Sequence, residues 1–79
     1  MGARAYVLIE TAVGKTKEVA AAIGQLEGIT SVDPVTGPYD IIVVVERESL
    51  NEVGELVTGE IHPIAGIYRT VTCLAIRGV

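Results

Sequence analysis

An α+β sandwich, with one four-stranded antiparallel sheet carrying two helices on a single face, is the architecture to which this 79-residue sequence points. Three features lead there. Apolar periodicity alternates between two residues and three-to-four residues in the order strand, helix, strand, strand, helix, strand. The β-branched run Ile41, Ile42, Val43, Val44, Val45 reads as a strand buried on both faces, hence central. Pro34 cannot donate to a ladder, which sends the strand containing it to a sheet edge.

Residues 3–11 form the first strand. Ala3, Ala5, Val7 and Ile9 lie on one face and Arg4, Tyr6, Leu8 and Glu10 on the other, so both faces carry apolar groups. Gly14 breaks the chain before a helix over 15–26, where Val19, Ala22, Ile23 and Leu26 make the inward stripe and Gly28 closes it. Residues 29–36 read as the edge strand, Gly37-Pro38 as a turn, and 40–47 as the central strand. Ser49-Leu50-Asn51-Glu52 is a capping box that starts the second helix. Leu50, Val53, Leu56, Val57 and Ile61 give its apolar stripe, until Pro63 ends it after His62. Gly66 reopens the chain, and 67–77 is the last strand.

This βαββαβ order is the split βαβ, or ferredoxin-like, arrangement with strand order 4-1-3-2. Helices cover only one face of such a sheet, yet Tyr6, Leu8, Leu74, Ile76 and one side of the 41–45 run are expected on the other. That face calls for a partner sheet, at roughly 700–1,000 Å² per subunit for a stable homodimer. Small size points the same way, because a domain this short hides only about 60–65% of its unfolded surface.

Six Lys and Arg stand against ten Asp and Glu, a formal charge of −4 that repels a phosphate backbone and argues against direct nucleic-acid binding. The longest apolar run is far short of the roughly 20 residues that span a bilayer, and the N-terminus lacks the form of a signal peptide. The expected location is therefore cytoplasmic, with no membrane partner. One cysteine, Cys73, excludes a disulfide, and Cys73 with His62 is too small a set for a zinc site. No metal or cofactor is expected.

Gly14-Lys15-Thr16 has the tail of a phosphate-binding loop, but Ile9 stands where the first glycine is needed, so the motif reads as a strand-to-helix turn. Cys73, mid-strand between Val71-Thr72 and Leu74-Ala75, is expected to be a buried thiol, and His62 a structural residue at a helix end. Asp33 reads as a turn carboxylate. Gly37-Pro38-Tyr39-Asp40 is richer: it sets a flexible residue, an aromatic ring and a carboxylate beside the central strand. Thr70 and Thr72 share one face of the last strand.

Gly37-x-Tyr39-Asp40 leading into a buried strand, followed by Gly66-Ile67-x-Arg69-Thr70-x-Thr72 leading into the last one, resembles the effector-binding (RAM) domain of the Lrp/AsnC transcription regulators. The resemblance runs from the first strand through Ile76 and takes in Val32 and the helix over 50–61. It implies face-to-face pairing of two sheets into a dimer, assembly of dimers into a ring, commonly an octamer, and binding of amino acids or related small metabolites in clefts between dimers. Gly37, Tyr39 and Asp40 would line the cleft, Asp40 meeting the ammonium, the backbone near Gly37 the carboxylate and Tyr39 packing on the ligand, with Thr70 and Thr72 on a neighbouring strand.

Regulators of this family carry an N-terminal helix-turn-helix domain, whereas this sequence opens at the first effector-domain strand. It is thus similar to the stand-alone RAM proteins, and a single domain over 1–79 is expected. The implied function is effector sensing that modulates amino-acid-metabolism transcription through assembly, alone or with a full-length paralogue. Two alternatives share the fold: a small dimeric enzyme of the monooxygenase type, working through His62 or Tyr68, and an ACT-like amino-acid-binding module.

Overall fold

A computed structural model describes residues 2–76. The elements are β1 (Ala3–Thr11), α1 (Thr16–Gly24), β2 (Ile29–Pro34), β3 (Ile41–Arg47), α2 (Leu50–Leu56) with a π-helical turn (Val57–Ile61) continuing it, and β4 (Ile67–Leu74). One antiparallel sheet in the order β2-β3-β1-β4 carries both helices, which is the expected order read from its other edge. As Pro34 requires, β2 is an edge strand, and the β-branched β3 lies inside between β2 and β1.

The register assigns the faces. Ala5, Val7 and Ile9 of β1 oppose Val45, Val43 and Ile41 of β3, and all six are fully buried under the helices. Val19 and Ile23 of α1, Val53 and Leu56 of α2, and Val57 and Ile61 of the π-helical turn complete the core. Each such side chain contributes about 1.5–3 kcal/mol relative to an exposed one. On the open face Tyr6 and Leu8 oppose Val44 and Ile42 on one side and Cys73 and Val71 on the other. The expected apolar open face is thus present, with one correction to its membership. Leu74 pairs with Ala5 and therefore sits on the helix side, as do Thr70 opposite Ile9 and Thr72 opposite Val7.

Several boundaries differ from the sequence reading. α1 spans nine residues rather than the expected 15–26, because Gln25 and Leu26 donate to Ala22 and Ile23 in tighter i→i−3 bonds. β2 stops at Pro34, two residues short of Thr36: the ring leaves Pro34 without a donor of its own, and the Val35 N–H turns to the Asp40 carbonyl of the following turn. β3 begins at Ile41 and β4 ends at Leu74; the expectation that the last strand reaches Arg77 lies partly outside the described residues. The second helix starts on Ser49, whose Oγ accepts from the Glu52 N–H at 3.2 Å, the Ser49 half of the expected capping box. It then widens into the π-helical turn, where the His62 N–H donates to the Val57 carbonyl at 2.9 Å. Periodicity alone does not show such a widening, because Val57 and Ile61 face the core in either geometry.

Gly66 (φ +99°) turns the chain into β4 and lets its carbonyl accept from Ala12 N–H at 2.8 Å. A Cβ there would lie 3.0 Å from Val19 Cγ2 and 3.1 Å from Lys15 Cβ, so both the backbone angle and the space ask for glycine.

Candidate functional site

The C-terminal end of β1 lies between the N-terminal ends of β3 and β4, and most of the chemistry the sequence offers gathers there. Asp40 directly precedes β3. Its N–H donates to the Ile9 carbonyl at 2.8 Å and its own carbonyl accepts from Val35 N–H at 2.9 Å, so the backbone on both sides of the 37–40 turn is pinned. Its Oδ2 accepts from the Thr11 N–H at 2.8 Å. Thr11 needs that acceptor because its N–H faces the β3 edge, where the paired register of β1 with β3 ends at Ile9 and Ile41 and leaves it no ladder carbonyl. Asp40 is therefore a half-buried carboxylate with a backbone task already assigned to one oxygen.

Gly37 (φ +135°) opens this turn; a Cβ would meet nothing within 4 Å, so only the backbone angle asks for glycine. Half-buried Tyr39 lies between it and Asp40. Opposite Glu10, in the same row of the sheet, stands Arg69, whose Nη2 donates to Glu10 Oε2. Arg69 is held above its ordinary pKa first by that hydrogen bond, then by the Glu10 charge, with smaller contributions from Tyr39 and Tyr68. A raised value keeps its share of the pairing present below the unfolded pKa and loses it only as pH climbs through the still higher folded value, so the cation is constant at any physiological pH. The end of the sheet thus presents Asp40, the Glu10–Arg69 pair and Tyr39 together. With strands about 4.8 Å apart, Asp40 and Arg69 flank β1 at a backbone separation of roughly 10 Å. The sequence reading had Arg69 only within a motif and Glu10 only on a strand face and gave neither a place at the site, since only the β1–β4 register makes them neighbours.

Of the five residues expected to bind a ligand, Gly37, Tyr39 and Asp40 share this corner. Thr70 and Thr72 are on the helix side of β4. Thr70 Oγ1 is 2.9 Å from His62 Nε2, which ties the end of the π-helical turn to β4. Thr72 lies two residues further along and borders α2 together with Leu74. In a single chain, then, the two threonines are held apart from the Tyr39–Asp40 turn by β1 and by the sheet itself.

The remaining candidates resolve plainly. Thr16 Oγ1 is 2.7 Å from Thr11 Oγ1, which makes the Gly14-Lys15-Thr16 segment a strand-to-helix turn held by its own side chains. Cys73, expected to be buried, is exposed: the register puts it opposite Tyr6 on the face without helices. Of the pair named for the enzymatic alternative, His62 is bonded to Thr70 and Tyr68 is 75% exposed. Among the described residues no three His, Cys, Asp or Glu side chains group as a metal site, and no helix is long and apolar enough to cross a membrane.

Comparison with known proteins sets this geometry in a family. Residues 4–79 match the model of the Lrp/AsnC ligand binding domain. An uncharacterized HTH-type transcriptional regulator of Pyrococcus furiosus is 36% identical over 78 residues, covering 95% of this chain and 52% of the relative. The chain spans about half the length of the curated relatives it matches. Among solved structures, the protein TTHA0845 of Thermus thermophilus superposes with a TM-score of 0.91 at 34% identity, covering 98% of this chain and 96% of that one. A transcriptional regulator of Neisseria meningitidis, solved as a complex with L-Met, superposes with a TM-score of 0.85 over 98% of this chain and 51% of its own; at 14% identity it shares the fold. The sheet order, the two helices on one face and the match over residues 4–79 agree: the chain belongs to the Lrp/AsnC ligand-binding domain family.

Proposed function

We propose that this domain binds an amino acid or related small metabolite in clefts between its dimers and modulates transcription of amino-acid metabolism through its state of assembly, as a stand-alone sensor or joined to a full-length paralogue. The observation that carries this reading is the corner formed by Asp40, Tyr39 and the Glu10–Arg69 pair. A zwitterion needs a carboxylate for its ammonium and a donor for its carboxylate, and this corner has both. Asp40 spends Oδ2 on Thr11, but a carboxylate offers about four lone-pair sites, so an ammonium can still be accepted. Gly37 leaves backbone near the turn open to close approach, and Tyr39 supplies a packing surface. A neighbouring dimer is the natural lid for this corner. The L-Met complex of the Neisseria regulator, which shares the fold, supports the choice of ligand class.

Assembly supports the reading from the other side. Tyr6, Leu8, Ile42, Val44, Val71 and Cys73 form an apolar sheet face with no helix above it, suited to pairing with a second copy. A ligand shifts assembly only by its differential affinity for the assembled and dissociated states, and a ligand held between dimers has such a difference by construction.

Light scattering and thermal melting of the purified protein, with and without a panel of amino acids at millimolar concentration, test this. An amino acid present at 100 times its Kd adds about 2.7 kcal/mol, roughly 10–20 °C in a domain of this size. An assembly larger than a dimer that changes in mass or melting with one amino acid is the expected result. A lone dimer indifferent to all of them overturns it.

A further inference from the structure

The open face of the sheet is not apolar throughout. At the end away from the amino-acid corner, Arg4 of β1 and Glu46 of β3 stand directly opposite each other, on the same side as Tyr6 and Val44 two residues further in. They form an ion pair whose contacts fall on one oxygen. Arg4 Nε donates to Glu46 Oε2 at 2.7 Å, and Nη2 lies 2.5 Å from that same atom. Oε1 is left over, and Arg4 Nη1 has only the Tyr6 hydroxyl, at 3.5 Å. A guanidinium carries about five donors and a carboxylate about four acceptor sites, so the pair in one chain keeps unspent donors on one side and unspent acceptors on the other. Both side chains stay within reach, 42% and 49% exposed, and with Tyr6 and Ala75 they line a hollow of about 310 Å³.

In the order β2-β3-β1-β4 the midline of the sheet runs between β3 and β1, the two strands that carry this pair. A two-fold axis along that midline, between two sheets packed face to face, exchanges the central strands and keeps each end of a sheet over its own end. It lays Arg4 over the partner's Glu46 and Glu46 over the partner's Arg4, and at a sheet spacing of about 10 Å such side chains meet midway. Leu8 then faces the partner's Ile42, and Tyr6 faces the partner's Val44. Exposed Asp33, which shares the face with Ile42, is carried over the partner's β4, the strand that bears Arg69. Asp40 approaches the partner's Glu10, but each is engaged in its own chain, Asp40 with the Thr11 N–H and Glu10 with Arg69. A two-fold across the strands fits less well. It offers Arg4 the partner's Glu10, which is already held, and sets Glu46 against the partner's Asp40, whose bonded partner in its own chain is an uncharged N–H. We propose that a second copy seats on the open face about the axis along the strands, and that Arg4 and Glu46 select it by exchanging contacts across the two subunits. This selection rests on the open face being the pairing surface, and it excludes a different chain unless that chain repeats the same two charges.

Sedimentation velocity on the full chain at low salt and matched protomer concentration reads the pairing. Arg4→Glu and Glu46→Arg are each expected to weaken self-association by about tenfold or more, since each sets like charges face to face. An equimolar mixture of the two variants is expected to return to the wild-type mass, with one variant isotope-labelled so that native mass spectrometry identifies the mixed dimer. The pair within each chain stays broken in both variants, so recovery arises only across copies. The doubly exchanged chain, Arg4→Glu with Glu46→Arg, rebuilds the pair within and between its own copies. It is expected to pair with itself and to refuse the wild type, a selectivity that fades as salt rises to about 0.5 M. Single variants that associate as the wild type does, a mixture that does not recover, or free mixing of the exchanged chain with the wild type overturns the proposal. Rescue of Arg4→Glu by Glu10→Arg also overturns it, because it assigns the axis across the strands. A wild-type chain that is monomeric by itself overturns the open-face pairing as well, a result read before any variant is made.

Discussion

Asp40 accepts from the Thr11 N–H and, in the proposed function, meets the ligand ammonium, and its substitution separates the two. Asp40→Ala deletes the acceptor of the Thr11 N–H, a bond of 2.8 Å. No ladder carbonyl can take over, because the pairing of β1 with β3, the strand this N–H faces, has ended at Ile9 and Ile41. An orphaned buried N–H costs about 1–3 kcal/mol, and since Thr11 is only half-buried the lower part of that range applies, about 1–2 kcal/mol. At 4–8 °C per kcal/mol for a domain of this size, the melting temperature falls by roughly 4–16 °C. Asp40→Asn keeps an oxygen in the same place and loses only the charge assistance, about 0.5–1 kcal/mol. Stability is therefore expected in the order wild type, Asn, Ala, whereas an ammonium-bearing ligand is lost from both variants. Calorimetric melting at fixed protomer concentration reads the first quantity, and titration calorimetry with the amino acid found by screening reads the second. If the Ala variant melts within about 2 °C of wild type, the Thr11 bond is energetically idle. If the Asn variant binds the amino acid as wild type does, the ammonium is held elsewhere.

Leu8→Asp and Val71→Asp place a charge in the middle of the open sheet face, where the two side chains are cross-strand neighbours, and each is expected to lower the mass seen in sedimentation velocity to that of the monomer. Gly66→Ala meets both a positive φ and a Val19 methyl at 3.0 Å, so it is expected to cost about 1–3 kcal/mol, more than Gly37→Ala, where the space is open; thermal melts of the pair check the ranking. Ser49→Ala removes the acceptor of the Glu52 N–H and is expected to cost about 1 kcal/mol in a denaturant titration with an unchanged m-value.

Local chemistry made much of this protein legible before any coordinates. Periodicity named the four strands and both α-helices, Ser49 marked the start of the second helix, Pro34 declared an edge strand, and the β-branched 41–45 run declared a central one. These follow from rules that act within a few residues. The sequence also showed that the 37–40 turn combines a glycine, a ring and a carboxylate. Tertiary structure alone decided what surrounds them. Register is a relation between strands far apart in the chain, and it brought Arg69 to Glu10, gave Asp40 the Thr11 N–H, and moved Leu74 to the helix side and Cys73 into solvent. A one-residue slip exchanges the two faces of a strand, so face assignments wait on pairing even when the alternation is clear.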